Sequence, residues 1–167
     1  DKTGSSIFLI NDNQIKPTLA FLNSIVANYL IKIFSSTVAL QVDEVRRLPF
    51  SPAQWISSQV VENADLLCRI AKEDWDSFET SGDFFCIKWL SASRSSKYIS
   101  KSWESWGAQV SEAFYATKKL QEENNRLFIE AYGLQDELSP EVPEDQITLT
   151  RADREKDSQR LISYIIG

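Results

Sequence analysis

One pattern of apolar residues constrains the fold of this chain more than any other feature. Between residues 98 and 132, apolar side chains return every three or four positions, which is the repeat of one face of an α-helix. A helix of this length is about 50 Å long. Gly133 and Leu134 follow it, as in a helix that closes with a Schellman motif. The stripe consists of Trp103, Trp106, Val110, Ala113, Thr117, Leu120, Asn124, Leu127 and Ala131.

Two polar residues interrupt this stripe. Thr117 and Asn124 lie on the seam, where a polar side chain can fix the register of one helix against another. The partner helix belongs either to the same chain or to a second chain in an intermolecular coiled coil. We favour a helix pair within the chain.

The first 50 residues have a different pattern. Residues 5–10 (SSIFLI) are a short apolar run rich in strand formers, and residues 38–45 alternate in part, as in a half-buried strand. Between them, Pro17 suits the first turn of a helix that is apolar on nearly every face up to Phe34. We therefore predict a strand–helix–strand unit, part of a small α/β domain, over residues 1–50.

The remaining residues, 51–167, read as a helical scaffold domain. Ser51 to Gln54 has the sequence of a capping box, which predicts a helix that runs to about Lys72. The stretch 73–90 is irregular but aromatic, so we expect it to pack against the helices. The fold class is therefore mainly α with a small α/β unit, and one helix is long.

The end of the scaffold has weaker signals. Residues 147–149 read as a brief edge strand. Thr150 and Asp153 have the spacing of a T-x-x-D cap at the start of a last helix. The apolar side of that helix is predicted to contain Leu161, Ile162, Ile165 and Ile166.

The residues that catalysis usually requires are scarce. The chain contains no histidine, and each of its five glycines is isolated, so neither a Ser/His or Cys/His pair nor a glycine-rich phosphate loop is present. Cys68 and Cys86 are too few for a zinc site and are interpreted as free thiols. The acidic residues of 73–79 are interpreted as a solvated edge rather than a metal site. We predict no catalytic, cofactor-binding or metal-binding residue in this chain.

The charge distribution indicates where DNA contacts are possible. The net charge of −6 argues against a free-standing, non-specific nucleic-acid binder. Residues 1–60, however, contain five Lys/Arg and four Asp/Glu, a charge of +1, which leaves −7 for the rest. Hydroxyl and cationic side chains, as in residues 93–97, suit phosphate oxygens. For each basic residue, the alternative to a DNA contact is a surface charge without a binding role. The candidate DNA contacts are Lys16, Arg46, Arg47, Arg94, Lys97 and Lys101.

Two further features concern the context of the chain. It begins at Asp1 and has no methionine, so we expect an excerpt of a longer protein, unless modified methionines are missing from the printed sequence. The most apolar stretch, 19–34, is about 16 residues and shorter than the roughly 20 that a spanning helix needs. No signal-peptide pattern precedes it. We predict no membrane segment and a cytoplasmic location.

Four segments together resemble a known family. LAFLNSIVANYLIKIFSSTVALQVDEVRRLPF (19–50) is similar to a segment of the target-recognition regions of type IIG restriction-modification enzymes and type I specificity subunits. Three further segments sharpen the resemblance: KEDWDSFETSGDF (72–84), NNRLFIEAYGLQDELSPEV (124–142) and ITLTRADREKDSQRLISYIIG (147–167). In this order they resemble the PglX-type methyltransferases of BREX phage-exclusion systems, most weakly across 86–101.

The resemblance implies a large cytoplasmic enzyme that methylates adenine N6 with S-adenosylmethionine. The catalytic Asn-Pro-Pro-Tyr-type motif and the cofactor loop belong to an upstream domain of such enzymes, and this chain has no Asn-Pro dipeptide. The resemblance implies three partners for this chain. They are double-stranded DNA, which the parent enzyme binds, the upstream catalytic domain, and other subunits of the defence system.

Three hypotheses follow. In the first, the chain is a non-catalytic DNA target-recognition and scaffold segment of an adenine-specific methyltransferase. In the second, it is a helical protein-interaction module that docks other defence subunits. The third, an independent small enzyme, is disfavoured because the chain lacks convergent catalytic groups.

Overall fold

The structure is a computed structural model that describes residues 6–34, 42–50, 57–91 and 98–166. Within these ranges the regular elements are α-helices and short 3-10 turns, and no strand occurs. The helices are α1 (Ile15–Leu22), α2 (Ile25–Phe34), α3 (Val42–Arg46), α4 (Ser58–Trp75), α5 (Lys88–Ser91), α6 (Ile99–Tyr132) and α7 (Arg154–Ile166), with 3-10 turns at Asp12–Gln14 and Glu144–Gln146.

The predicted strand–helix–strand unit is therefore wrong. In the first predicted strand, residues 6–9 are irregular. In the second, residues 42–45 belong to α3, and residues 38–41 lie outside the described part of the chain. The predicted edge strand at 147–149 is also irregular, with a bend at Leu149. In α3, Asp43 and Glu44 occupy the first turn, where negative charge favours the helix N-terminus. The apolar residues of this stretch also fit a helical spacing, so the partial alternation was a misleading signal. The mainly helical character of the chain is confirmed.

The long apolar helix predicted from Pro17 to Phe34 is divided in two. Ser24 ends α1 and caps α2: its hydroxyl donates to the carbonyl of Phe21 (2.6 Å) and accepts from the N–H of Ala27 (3.2 Å). The bend between Asp12–Leu22 and Ile25–Phe34 is 73°. A serine that satisfies backbone groups on both sides thus separates two helices that the apolar pattern joins.

The helix predicted up to Lys72 is present as α4. Its described N-terminus is capped by Ser57, whose hydroxyl accepts the N–H of Val60 at 3.2 Å. The predicted capping box at 51–54 lies outside the described residues.

The long helix is confirmed as α6, and its end follows the predicted motif. Gly133 has a φ of +67°, in the left-handed region. Its N–H donates to the carbonyl of Glu130 (3.2 Å), and the N–H of Leu134 donates to that of Ile129 (3.0 Å), which is the Schellman pattern. Leu134 and Ile129 pack in the same apolar cluster.

The chain divides into two compact units. Unit 1 contains residues 1–67 and 120–142, and unit 2 contains 68–119 and 143–167, so α4 and α6 each contribute residues to both. The predicted domain boundary at residue 50 stays a prediction.

Aromatic residues form the core of unit 1. The rings of Phe21 and Phe50 are stacked at 4.3 Å, and Phe128 meets Phe21 edge-on at 5.5 Å. The hydroxyl of Tyr132 donates to the carbonyl of Pro49 at 2.7 Å. The segment that follows α3 is thereby held against the C-terminal part of α6.

A buried amide pair joins α4 and α6 within unit 1. The side-chain nitrogen of Asn63 donates to the side-chain oxygen of Asn124 at 3.1 Å, and both residues are buried. The contact shows that Asn124 of α6 meets a helix of the same chain, as we favoured, whereas the hydroxyl of Thr117, the other polar residue of the stripe, is buried without a hydrogen-bond partner among the described residues. The role of these residues in setting the register stays a prediction. Next to Asn124, Asn125 accepts the N–H of Ile25 and donates to the carbonyl of Pro140.

Unit 2 has a tryptophan-rich core. Ile87, Trp89 and Trp106 are buried, and Phe84 packs against them. The expectation that the aromatic stretch 73–90 packs against the helices is confirmed for Phe84 and Trp89, whereas Trp75 and Phe85 are exposed (57% and 91%).

The start of α7 corrects another prediction. Asp153, and not Thr150, is the cap: one carboxylate oxygen accepts the N–H groups of Glu155 (3.0 Å) and Lys156 (3.2 Å). Thr150 instead donates its hydroxyl to the carboxylate of Asp74 at 3.2 Å.

No single helix in the described ranges is long and apolar enough to cross a membrane. A bent pair, Asp12–Leu22 with Ile25–Phe34, meets the length and composition criteria together.

Candidate nucleic-acid interface

Two of the predicted DNA contacts lie at the end of α3 in unit 1. Arg46 is exposed and pairs with Asp43 one turn earlier, at 3.6 Å. Arg47 follows it and is also exposed, while Leu48 is buried in the core and anchors the backbone behind the arginines. An exposed i,i+3 pair is weak and screened by salt, so Arg46 can exchange Asp43 for a phosphate at little cost.

A neighbouring cation was missed by the sequence argument. Lys32 is exposed in the last turn of α2, and α2 contacts α3. Asn28 is exposed one turn before Lys32, at the i,i+4 spacing that places both on one helix face. Lys32, Arg46 and Arg47 are called the α2–α3 basic surface below. The signal that could have found Lys32 is that it is the charged residue of the otherwise uncharged helix α2.

The environment of Lys16 is different. Its ammonium pairs with the carboxylate of Asp65 on α4, and both side chains are partly exposed. The pair lowers the charge that Lys16 can offer to a phosphate. Of the predicted contacts in unit 1, Lys16 is therefore the weaker candidate.

The other candidates belong to unit 2 or lie outside the described residues. Lys101 is exposed on the first turns of α6, with its ammonium 5.9 Å from the centre of the Tyr98 ring. Arg94 and Lys97 lie outside the described part of the chain. Arg46 and Arg47, consecutive in sequence, are both exposed, and the structure does not test the predicted basic run at 93–97.

One acid on unit 1 is held by a tyrosine. The Tyr29 hydroxyl on α2 donates to the carboxylate of Glu137, and this hydrogen bond raises the pKa of Tyr29 above 10.0. Tyr29 is therefore a neutral hydrogen-bond donor at physiological pH. The contact fastens α2 to the segment that follows the Schellman turn.

Unit 2 contains a cleft of about 440 Å³ along α6. The guanidinium of Arg151 lies 4.1 Å from the centre of the Phe114 ring and pairs with Glu144 at 2.6 Å. Trp103 and Tyr115 supply further aromatic surface. The aromatic lining of the cleft suits a flat apolar group.

A smaller cleft of about 130 Å³ lies in the same unit. Asp74 on its wall accepts both the N–H (3.3 Å) and the hydroxyl (3.2 Å) of Thr150, and Lys88 donates to the carbonyl of Glu73. These polar groups hold the loops of unit 2 in place, and we assign them no ligand.

The acidic stretch after α4 is organised by Lys72. Its ammonium bonds to Asp76 (2.8 Å) and Asp83 (2.7 Å), and the pKa of Lys72 is raised. The hydrogen bonds from Lys72 and from the hydroxyl of Ser81 lower the pKa of Asp76. No group of three or more possible metal ligands occurs in the ranges that the structure describes.

The sequence comparison adds an observation independent of this geometry. The chain is similar to an adenine-specific methyltransferase. Over an alignment of 170 residues it is 34% identical to the adenine-specific methyltransferase PglX of Lacticaseibacillus casei (strain Zhang). The match covers the whole chain but 14% of that protein, so the chain spans a small part of its relative's length.

The similarity supports one part of the sequence interpretation and leaves another as a prediction. The resemblance to PglX-type methyltransferases is confirmed as a similarity over the full chain. Target recognition, a BREX system and contact with DNA are finer statements and stay predictions. No family model matches the chain. No solved structure matches it either.

Proposed function

We propose that this chain is a non-catalytic segment of an adenine-specific DNA methyltransferase of a phage-defence or restriction-modification system, and that unit 1 contacts the DNA. The observation that carries the proposal is the 34% identity to PglX over the whole chain. In such an enzyme, one part holds the duplex while the target adenine leaves the base stack to be methylated. Among the described residues of unit 1, the α2–α3 basic surface is the part that best suits phosphates.

The chemistry of the α2–α3 basic surface supports a positioning role. Arg46 and Arg47 offer planar guanidinium groups, which pair with phosphate oxygens in a bidentate geometry, and Lys32 offers a point charge. Contacts of this kind set the orientation of a protein on DNA, whereas base contacts determine sequence. We therefore assign the surface to orientation and affinity.

S-adenosylmethionine is the methyl donor in the proposed enzyme, and we propose that its site lies outside this chain. Gly107 lines the larger cleft of unit 2, and a Cβ there would meet the Cβ of Ala152 at 3.4 Å, an ordinary van der Waals distance, so the position gives no sign of a glycine required for close approach to a cofactor. With no Asn-Pro motif in the sequence either, we assign no residue of this chain to the cofactor or to methyl transfer.

Salt-dependent DNA binding tests the proposal. Fluorescence anisotropy with a labelled DNA duplex compares the native polypeptide, meaning the proposed methyltransferase that contains this chain, with its Arg46→Gln/Arg47→Gln variant. Because each phosphate contact contributes about 0.9 to the slope of log K against log salt, the variant is expected to reduce the slope by about 2. Arg69→Gln/Arg154→Gln removes the same charge from exposed positions of α4 and α7 and is expected to leave the slope unchanged.

Two results would contradict this assignment. Equal slopes for both double variants would show that the α2–α3 basic surface does not touch the backbone. Absence of salt-sensitive binding by the native polypeptide would favour the second hypothesis, a helical module that docks other proteins.

A further inference from the structure

Asn28 on α2 has a polar side chain that the fold does not use. The residue lies inside the helix, because its N–H donates to the carbonyl of Ser24 at 3.2 Å, and its side chain is exposed. No hydrogen bond joins its amide to any residue that the structure describes. The side-chain amides of Asn23, Asn63 and Asn125, by contrast, each donate to another residue of unit 1.

An asparagine at this position is unfavourable for the helix and gives it no contact in return. Asparagine is a poor helix former, because its amide competes with the backbone for hydrogen bonds, and it is favoured at caps and turns instead. The cap of α2 is already supplied by Ser24, whose hydroxyl accepts the N–H of Ala27. The amide of Asn28 therefore offers a donor and an acceptor, side by side, to a ligand.

The surroundings of Asn28 suit a nucleic acid. Lys32 lies one helical turn further along the same face, and α2 contains no aspartate or glutamate. The helix also contacts α3, which ends at Arg46. A helix in the major groove meets phosphates at the edges of the groove and base edges at its floor, so cations beside a neutral polar side chain fit this arrangement. Helices that read DNA commonly contact the bases with residues near their N-terminus, and Asn28 is the fourth residue of α2.

The chemistry of the amide determines which base it fits. An asparagine side chain pairs with adenine in a bidentate way, because its oxygen accepts from the N6 amino group while its nitrogen donates to N7. Arginine and lysine match the two acceptors of guanine instead. A target adenine that has rotated out of the base stack no longer presents its edge in the groove. The adenine that Asn28 fits is therefore one that stays paired in the duplex.

We infer that Asn28 reads a paired adenine in the major groove and thereby determines one position of the sequence that is methylated. The inference rests on the proposed function, to which it adds the choice of sequence. The α2–α3 basic surface orients the DNA through its phosphates, and Asn28 selects one base pair.

Methylation and binding measured on the same variant test this role. Sequencing of N6-methyladenine in cells defines the sequence methylated by the native polypeptide. Asn28→Ala is expected to relax that sequence at a single A·T position, where discrimination against other bases falls by about tenfold or more. The salt slope of DNA binding is expected to stay at its native value, because an amide neutralises no phosphate. Alanine is the better helix former, so the variant is expected to retain at least the native thermal midpoint.

Lys32→Gln is the matched control, one turn away on the same face of α2. It is expected to reduce the salt slope by about 0.9 and to leave the methylated sequence unchanged. A modified duplex gives a second measurement. An adenine analogue that has a C–H group in place of N7, at the position relaxed in Asn28→Ala, is expected to weaken binding of the native polypeptide by about threefold or more and to leave binding of Asn28→Ala unchanged.

Three results would overturn the inference and leave the proposed function intact. They are an unchanged methylated sequence in Asn28→Ala, an equal effect of the analogue on the native polypeptide and on Asn28→Ala, or a salt slope that Asn28→Ala lowers as Lys32→Gln does. The last result would assign Asn28 to a phosphate. Absence of salt-sensitive binding by the native polypeptide would contradict the proposed function and the inference together.

Discussion

At the scale of single residues, long-range polar contacts hold the irregular segments of unit 2 to its helices. Asp157 is the clearest case, because a buried carboxylate is tolerated only when its oxygens are satisfied. It accepts from Trp103 and Asp153, and Arg160 lies 3.5 Å away. Trp103 is 54 residues away in sequence, so a composition argument does not reveal this contact and treats Asp157 as one more surface acid.

The pair formed by Glu144 and Arg151 predicts a pH dependence. The hydrogen bond from Arg151 holds the pKa of Glu144 below its ordinary value of 4.5, so the folded chain favours the ionised form more than the unfolded chain does. The resulting stabilisation is fully present above about pH 4.5 and is lost as the pH falls through the folded-state pKa. Arg151→Gln is expected to raise the pKa of Glu144 toward 4.5 in an NMR titration of the side-chain carboxyl. Arg154→Gln is the control, and an unchanged low pKa in Arg151→Gln would contradict this cause.

At the scale of elements, the amide pair of Asn63 and Asn124 predicts a non-additive pattern. Asn124→Leu leaves the buried amide of Asn63 without this partner and is expected to lower the free energy of unfolding by about 1–3 kcal/mol. Asn63→Leu/Asn124→Leu removes both amides and is expected to recover most of that loss. Urea unfolding of the single and double variants measures the coupling. Additive losses would show that the amides do not interact.

The Schellman turn after α6 gives a second prediction for an element. Gly133→Ala forces a Cβ into the left-handed region and is expected to destabilise the chain by about 1 kcal/mol, although nothing crowds the position. Gly82→Ala is the matched control, because its surroundings are equally open and its φ lies outside the left-handed region. Equal unfolding midpoints for the two variants would show that the backbone conformation of Gly133 is not constrained.

These elements also show which parts of the fold the sequence could predict. The length of α6 and its Schellman ending depend on local spacing, and both were predicted correctly. The break at Ser24 was not, because a serine inside an apolar run serves equally as a helix residue or as a cap. The start of α7 was misplaced because Thr150 and Asp153 are both good caps, and a contact of Thr150 with Asp74, distant in sequence, leaves Asp153 as the cap.

In the candidate site, too, the sequence predicts local features but not contacts between residues that are distant in the chain. Arg46 and Arg47 are exposed, as a DNA contact requires, and their role in binding stays a prediction. The sequence could not show that Lys16 pairs with Asp65, 49 residues away, or that Lys32 lies on a helix in contact with α3. Pairings between distant residues depend on the packing of the helices, which local patterns do not specify.

At the scale of the whole molecule, the two units differ in the chemistry that they expose. Unit 1 carries the α2–α3 basic surface, whereas unit 2 carries an aromatic cleft along α6. The overall charge of −6 is unfavourable for DNA, so contact has to be local and supported by other parts of the polypeptide. This distribution suits a segment that positions DNA for a catalytic domain outside the chain, as we propose.

Methylation itself provides the most direct test of that proposal. Sequencing of N6-methyladenine in the DNA of cells that carry the native polypeptide identifies its sites, and the same cells with Arg46→Gln/Arg47→Gln or Arg69→Gln/Arg154→Gln provide the comparison. We predict that the first variant lowers methylation at those sites by about tenfold or more, since two lost phosphate contacts weaken binding and orientation, and that the second leaves it unchanged. Methylation at the native sites and level with Arg46 and Arg47 replaced would contradict the role assigned to unit 1.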